Sequence, residues 1–253
     1  MSVDVKMPLT AHLEELRWRL IRALLAVGLA FMVAYYFAEI LFGFLTEPLL
    51  SLNASLSQGN PGAGAVQLIG TGVAEAFFTK LKVCFLAGVF AASPVILYQL
   101  WQFIAPGLYD NEKHYAQPFV FFGTIFFLAG AAFCYYLVLP VGYRFFVEEY
   151  GTIRVDPQIR ISEYLTFTAR MLLAFGVTFE LPVITFFLAR LGIVTAALML
   201  HYLRYAVLLI VVMAAMLTPG PDIASQMLMA GPLLVLYLLS IGIAYLFAKP
   251  RAT

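Results

Sequence analysis

The chain has 253 residues, of which 63% are hydrophobic and only 11% are charged, and its mean hydropathy is +0.92. A soluble domain is about half apolar and about a quarter charged, so these values exclude an ordinary soluble domain. The apolar excess is spread along the chain, which predicts a polytopic membrane protein rather than one anchored by a single helix. The net charge of +1 provides no field that would attract nucleic acid.

Six apolar segments follow one another along the chain, and a span needs roughly 20 residues. They are 20–45, 83–109, 115–143, a segment around Glu180 that begins after Ser162, 205–217 and 223–248. The fifth has only 13 uncharged residues, and the sixth is interrupted by Gly231 and Pro232. We therefore predict an all-α membrane protein of six transmembrane helices whose fifth and sixth helices are short. Residues 1–253 are expected to form one membrane domain, with a cytoplasmic amphipathic segment at 1–19 and the six-helix bundle at 20–248.

The connections between these segments differ in kind. Residues 46–74 are rich in Gly, Ser, Asn and Pro, which predicts an irregular loop with a short helix after Pro48. Residues 105–114 predict a compact loop, 144–163 a polar loop of middling length, and the "TPGPD" of 218–222 a tight turn.

The distribution of Lys and Arg predicts the orientation in the membrane. An N-terminus inside the cell places nine of these residues on the cytoplasmic side and five on the other, and leaves Arg170 near the membrane. The nine are Lys6, Arg17, Arg19, Arg22, Lys113, Arg190, Arg204, Lys249 and Arg251, and the five are Lys80, Lys82, Arg144, Arg154 and Arg160. An even number of spans then puts both termini in the cytoplasm. No cleavable signal peptide is visible, so the first apolar run is expected to remain as a span.

Residues typical of catalysis are sparse. His12, His114 and His201 lie singly near predicted interfaces, and Cys84 and Cys134 lie inside apolar runs, where they read as packing residues. The motifs of zinc proteases, serine hydrolases and intramembrane aspartyl proteases are absent from the sequence. The sequence therefore predicts a protein that is not an enzyme and that needs no cofactor or metal.

Two acidic positions lie on the predicted cytoplasmic side. Glu15 belongs to the helix-like stretch "LTAHLEELRWRLI", in which Thr10 is a candidate cap and Arg19 stands four residues after Glu15. Glu112 belongs to the acidic loop "PGLYDNEK". One interpretation is an interfacial helix with an internal ion pair and a loop made soluble by its charges. The other is a pair of anions offered to a cationic partner, since carboxylates bind guanidinium groups in a bidentate manner.

Glu180 is the strongest single signal in the sequence. It stands at the centre of the otherwise apolar "MLLAFGVTFELPVITFFLA" between Arg170 and Arg190. An ionised carboxylate in the membrane is costly, so it must face the bundle interior or a wet cavity, be paired, or be protonated. Arg170 is about 15 Å away along a helix and cannot pair with it there. A packing hydrogen bond within the chain, a contact for a partner helix and a proton carrier all remain open.

Six blocks of the sequence together resemble the TatC family, the receptor component of the twin-arginine protein translocase. They are "HLEELRWRL" (12–20), "EP" (47–48), "FFTKLKVCF" (77–85), "SPVILYQLWQFIAPGLYDNEK" (93–113), "FGVTFELPV" (175–183) and "LTPGPDIASQ" (217–226). The resemblance covers the whole chain. It implies a glove-shaped, concave six-helix bundle in the inner (plasma) membrane, with both termini cytoplasmic.

The resemblance also implies partners and site residues. It implies binding of twin-arginine signal peptides of folded precursors, assembly with single-span TatA- and TatB-type proteins, a larger oligomeric complex, and export driven by the proton-motive force. By match of motif, the signal-peptide site would comprise Glu15, Glu112, Phe103 and Arg17. The contacts for partner helices would be Glu180, Thr218, Asp222 and Gln226, and Pro48 would be a structural residue of an extracytoplasmic loop.

A secondary transporter or proton channel that titrates Glu180 is the rival hypothesis. Such transporters usually contain structural repeats and discontinuous helices in both halves, whereas here only the sixth segment is interrupted.

Overall fold

The structure is a computed structural model that describes residues 9–59, 67–104, 116–152, 157–218 and 223–248. The elements in chain order are α1 (Leu9–Tyr36), α2 (Ala38–Gly59), β1 (Gln67–Ile69), α3 (Glu75–Ile104), α4 (Ala116–Phe133), a π-helical turn (Cys134–Val138), α5 (Leu139–Thr152), β2 (Gln158–Arg160), α6 (Ile161–Arg190), α7 (Ala196–His201), α8 (Leu203–Leu217) and α9 (Ile223–Phe247).

Five helical stretches of the described residues are long and apolar enough to cross a membrane. They are His12–Tyr36, Glu75–Ile104, Pro118–Tyr150, Ile161–Arg190 and Gln226–Phe247, and the shorter apolar helix Leu203–Leu217 lies between the last two. The predicted all-α, polytopic architecture with six apolar segments is confirmed. We call the side of the bundle that holds β1 and β2 the ribbon face, and the opposite side the terminal face.

The predicted shortness holds for the fifth membrane helix only. Helix α8 has 15 residues. Helix α9 has 25 residues and continues through Pro232, so the prediction of a short sixth helix is wrong. A proline removes one backbone hydrogen bond, whereas ending the helix at that depth would leave several polar groups unpaired in apolar surroundings.

Pro48 lies inside a helix and not in a loop, which corrects the prediction for residues 46–74. Helix α2 begins at Ala38, just after the break at Phe37, and includes Pro48. It packs into the main core through Leu49, which is fully buried. The hydroxyl of Tyr164 also donates a hydrogen bond of 2.8 Å to the carbonyl of Leu45. These tertiary contacts stabilise a helix that local composition disfavours.

The predicted polar loop at 144–163 is also largely helical. Helix α5 continues to Thr152, and Arg144 donates from Nε to Glu148 Oε1 at 2.7 Å one turn later. Charged residues are therefore compatible with the last turns of this helix because they pair along its surface.

A short parallel ribbon closes one side of the bundle, and the sequence did not predict it. Strands β1 and β2 pair with Leu68 opposite Ile159. The carboxylate of Glu75 holds the ribbon in place, accepting from the backbone N–H groups of Thr71 at 2.6 Å and Ser162 at 3.3 Å. The ribbon thus joins the start of α3 to the start of α6.

Helices α4 and α6 make a very close contact through glycines on both sides. A Cβ placed on Gly130 would lie 2.6 Å from the carbonyl oxygen of Phe175. One placed on Gly176 would lie 2.8 Å from the ring of Phe127. Small residues at such positions let two membrane helices approach closely, which fixes α6 and its Glu180 against α4.

Candidate functional site

The start of α1 and the end of α3 meet at the terminal face. The rings of His12 and Phe103 stack there, with centroids 4.3 Å apart and planes 20° from parallel. This contact brings the N-terminal stretch next to the last turn of α3, two segments that are far apart in sequence. From the sequence, His12 lies singly near a predicted interface, and its stacking on Phe103 was not predicted.

Glu15 lies one turn beyond His12, and only one of its two carboxylate oxygens has a hydrogen-bond partner among the described residues. Arg19 forms an ion pair with Glu15 Oε1, as the spacing of four residues predicts, and its Nε lies 3.1 Å from that oxygen. The other oxygen, Oε2, is buried and has no hydrogen-bond partner among the described residues. His12 Nδ1 lies 3.9 Å from Oε2, beyond hydrogen-bond range. One carboxylate oxygen is therefore available to a donor.

The other residues of the predicted signal-peptide site differ in their distance from Glu15 and in their exposure. Arg17 is exposed and lies two residues from Glu15, a spacing that puts the two side chains on different sides of α1. Phe103 is half-buried under His12. Glu112 lies outside the described residues. The structure thus brings Glu15 and Phe103 together through His12.

Glu180 lies inside the bundle, with a side chain only 6% exposed. Its carboxylate faces Gly123 of α4: a Cβ placed on that glycine would lie 3.2 Å from Glu180 Oε2 and 3.3 Å from Leu97 of α3. Both oxygens are buried without a hydrogen-bond partner among the described residues. A packing hydrogen bond within the chain, one of the interpretations of the sequence, is therefore not observed there.

An aromatic cluster lies on the terminal-face side of Glu180. Trp101, Phe119 and Phe187 are buried together, and the ring centroids of Trp101 and Phe119 are 4.7 Å apart. The Trp101 indole Nε1 is also buried without a partner among the described residues. Trp101 lies one turn beyond Leu97 on α3, and Phe119 lies one turn before Gly123 on α4. The unpaired indole N–H of Trp101 and the unpaired carboxylate of Glu180 therefore lie about one helical turn apart in depth.

Gln226 joins the two helices of the α8–α9 hairpin. Its Nε2 donates to the backbone carbonyl of Val211 at 2.9 Å. Thr218, at the end of α8, donates back to the carbonyl of Ala214 at 3.0 Å. Asp222 lies outside the described residues. Gln226 therefore acts first as an internal clamp, a role that spacing alone did not indicate.

The described residues contain no group of three His, Cys, Asp or Glu side chains arranged to hold a metal ion. Cys84 and Cys134 are both buried as free thiols. The polar groups at hand are hydrogen-bonding and charged groups suited to recognition.

Comparison with known proteins decides the family. A family model described as Sec-independent protein translocase protein (TatC) matches residues 11–232. The chain belongs to the TatC family. Two TatC relatives illustrate the similarity over nearly the whole length. The protein of Desulforapulum autotrophicum is 44% identical over 98% of this chain and 88% of its own, and that of Carboxydothermus hydrogenoformans is 38% identical over 98% and 96%.

Solved TatC structures share the fold. A crystal structure of the twin arginine translocase receptor TatC matches with a TM-score of 0.78 and 33% identity, over 92% of this chain and 97% of that one. A second one, in the detergent DDM, matches with a TM-score of 0.80 and 34% identity, over 92% and 99%. The chain is therefore a multi-pass TatC component of the Sec-independent translocase, with a role in protein transport alongside other Tat subunits.

Proposed function

We propose that the chain is the receptor of the translocase and binds the paired arginines of twin-arginine signal peptides on folded precursors. In this account the site comprises Glu15, Glu112, Phe103 and Arg17 at the terminal face. The protein supplies recognition and a membrane scaffold, and performs no covalent chemistry on its cargo.

The single observation that carries the proposal is the state of Glu15. Its Oε2 is buried and without a hydrogen-bond partner among the described residues, while Arg19 already binds Oε1. Leaving a buried acceptor unpaired is costly, so a guanidinium donor arriving there recovers that free energy. A charge-assisted contact of this kind contributes about 1.5–3 kcal/mol.

Phe103 and His12 make the site selective for shape as well as charge. Their stacked rings form an aromatic wall next to Glu15. A guanidinium is planar and stacks on aromatic faces, whereas an ammonium is a strongly hydrated point charge. Replacement of a signal-peptide arginine by lysine therefore weakens binding.

Glu112 provides the contact for the second arginine in this proposal. Glu112 stands eight residues after the end of α3, whose last turn holds Phe103. The family resemblance assigns it this role, and its carboxylate has the chemistry for it. The resemblance also assigns Arg17 to this end of the protein, where it is exposed on a different side of α1 from Glu15.

A second surface of the proposal receives the membrane helices of TatA- and TatB-type partners. Thr218 and Gln226 lie at the α8–α9 hairpin, Asp222 stands between them in the sequence, and Glu180 would supply a polar contact within the membrane. Because Glu180 packs against Gly123, a partner helix that approaches from this side can contact Glu180 only if α4 moves aside. A partner that offers Gln, Asn or Ser at that depth would satisfy its unpaired oxygens.

The proposed location is the inner (plasma) membrane, with both termini in the cytoplasm. The excess of Lys and Arg that the sequence predicts for the cytoplasmic side supports this orientation. Transport energy would come from the proton-motive force, since the sequence holds no phosphate-binding motif for ATP.

Photocrosslinking tests the peptide site directly. A photoreactive amino acid at position 103 should capture a twin-arginine peptide in membranes, and Glu15→Gln should reduce capture at least tenfold. Glu14→Gln is the matched control, because Glu14 is exposed and adjacent. Capture undiminished by Glu15→Gln would contradict the proposal.

The rival function, a proton-coupled transporter or channel, has one observation in its favour: Glu180 is a buried carboxyl without a partner among the described residues. Proton flux through liposomes that contain this chain alone distinguishes the two. The receptor proposal predicts no flux above that of empty liposomes, and a flux abolished by Glu180→Ala would favour the rival.

A further inference from the structure

A polar cavity of about 410 Å³ opens at the ribbon face between α3, α6 and the end of α8. This volume lies within the range of about 300–1,000 Å³ that is typical of small-molecule sites. Ser162, Thr166 and Arg170 follow one another at spacings of four residues on α6, and all three line the cavity. Lys82 of α3 lines the opposite wall. None of these residues belongs to the peptide site.

The charges in the cavity are unbalanced. Lys82 donates to the neutral hydroxyl of Thr166 at 3.2 Å. Arg170 is exposed and has no hydrogen bond or ion pair with any described residue. Glu163 also lines the cavity, but its carboxylate lies 3.6 Å from Arg160, which is outside the cavity wall. The described cavity wall therefore carries two cations, Lys82 and Arg170, but one carboxylate, which already interacts with Arg160.

The cavity lies at the depth of the membrane surface or below it. Arg170 is nine residues into α6 and Lys82 seven into α3, or about 14 Å and about 10 Å from the helix starts. Helix α8 spans about 22 Å, against about 30 Å for the hydrocarbon core. Its end at Leu217 lies on the cavity wall, so the bundle is recessed here and polar groups can enter from the ribbon side.

We propose that this cavity binds the phosphate group of a phospholipid from the leaflet on the ribbon face. Arg170 and Lys82 would hold the phosphate oxygens, since the guanidinium of Arg170 is unpaired among the described residues and the ammonium of Lys82 donates to a single hydroxyl there. An arginine at this depth needs an anion, and phospholipid headgroups are the anions that surround every membrane protein at that level.

The location favours a lipid over the other anions of the same chemistry. A free phosphate ion is strongly hydrated and would not accumulate in a recess bordered by apolar helices. A lipid keeps its acyl chains against the apolar exterior while only its headgroup enters.

Native mass spectrometry of the full chain in a neutral detergent, titrated with phosphatidylglycerol, tests this inference. We expect Lys82→Gln/Arg170→Gln to weaken lipid binding at least tenfold. The matched control is Lys80→Gln/Arg144→Gln, which removes the same charge from the same face without touching the cavity wall. The control should stay within twofold of the unmodified chain.

A second variant guards against misfolding of the first. Glu163→Gln removes the only carboxylate on the described wall of the cavity and should tighten lipid binding at least twofold. Equal binding by Lys82→Gln/Arg170→Gln and its control would overturn the inference, as would weaker binding by Glu163→Gln. Displacement of the lipid by millimolar inorganic phosphate would show that a free anion is the ligand. If a transmembrane peptide with an acidic residue needed Lys82 and Arg170 while the lipid did not, the cavity would be a protein-docking site.

Discussion

The hydroxyl of Tyr135 donates a 2.6 Å hydrogen bond to the backbone carbonyl of Phe44. Phe44 precedes Pro48 by four residues, so its carbonyl is the one that loses its helical N–H partner to the proline. The two rings also stack, with centroids 4.3 Å apart and planes 9° from parallel. A side chain from the π-helical turn after α4 thus replaces the bond that α2 lacks, which explains how Pro48 is accommodated in a helix.

Tyr135→Phe tests this replacement. It should lower the free energy of unfolding by about 1–3 kcal/mol, because it leaves a carbonyl unpaired in apolar surroundings. Denaturant titration in detergent micelles measures the change, and Tyr136→Phe is the control, since Tyr136 is 67% exposed. In a Pro48→Ala background, where the helix supplies its own donor, the loss should be much smaller. An equal loss in both backgrounds would show that the hydroxyl acts elsewhere.

The glycine contact between α4 and α6 predicts a second stability effect. Gly130→Ala should destabilise the bundle by about 1–3 kcal/mol, because the added methyl overlaps the backbone of α6 at Phe175. Thermal unfolding of the detergent-solubilised chain is a suitable measurement. Gly28→Ala is the control because a Cβ there would have no atom within 4 Å. If both variants unfolded alike, the close contact would not limit stability.

Most of the membrane architecture could be predicted from the sequence, because the length and hydropathy of a span are set by the bilayer. The fifth helix, predicted at 205–217, is Leu203–Leu217 in the structure. Local composition did not predict the secondary structure correctly where contacts with distant residues determine it. Pro48 indicated a loop, yet Tyr135 compensates for its missing donor, and three-residue strands such as β1 carry too little pattern to be recognised.

For the candidate site, the sequence identified residues but not their arrangement. The spacing of Glu15 and Arg19 predicted their ion pair correctly, since it depends only on helix geometry. The stacking of His12 on Phe103 and the burial of Glu180 against Gly123 depend on how distant helices pack, which a single sequence does not encode locally. The proposed binding roles of all these residues stay predictions: Glu15, Arg17, Phe103 and Glu112 for the signal peptide, and Glu180, Thr218, Asp222 and Gln226 for partner helices.

The clamp within the α8–α9 hairpin gives a third prediction. Gln226→Leu should cost about 0.5–1.5 kcal/mol of stability, because it removes the hydrogen bond to the Val211 carbonyl. It should also reduce copurification of single-span partners if they dock on the hairpin. Met227→Leu, at a side chain that is 61% exposed, is the control. Unchanged stability and unchanged partner recovery would remove Gln226 from both roles.

The carboxylate at the start of α3 gives a fourth prediction. Glu75 also accepts from the Gly72 N–H at 3.0 Å, so Glu75→Gln weakens every bond that ties it to the ribbon. Backbone amides of β1 and β2 should then exchange hydrogen faster, while those in α4 should not change. Glu39→Gln, in the first turn of α2, is a control of the same charge. Equal exchange in the two variants would mean that the ribbon is held by strand pairing alone.

The role proposed for Glu15 is tested by the equilibrium affinity of a twin-arginine signal peptide for the purified full chain. We expect Glu15→Gln to weaken binding about 10- to 150-fold, which corresponds to losing about 1.5–3 kcal/mol. Glu14→Gln should leave the affinity within twofold, and a twin-lysine peptide should bind the unmodified chain about as weakly as the twin-arginine peptide binds Glu15→Gln. Equal affinity of the twin-arginine peptide for the unmodified chain and Glu15→Gln would show that Glu15 does not bind the paired arginines.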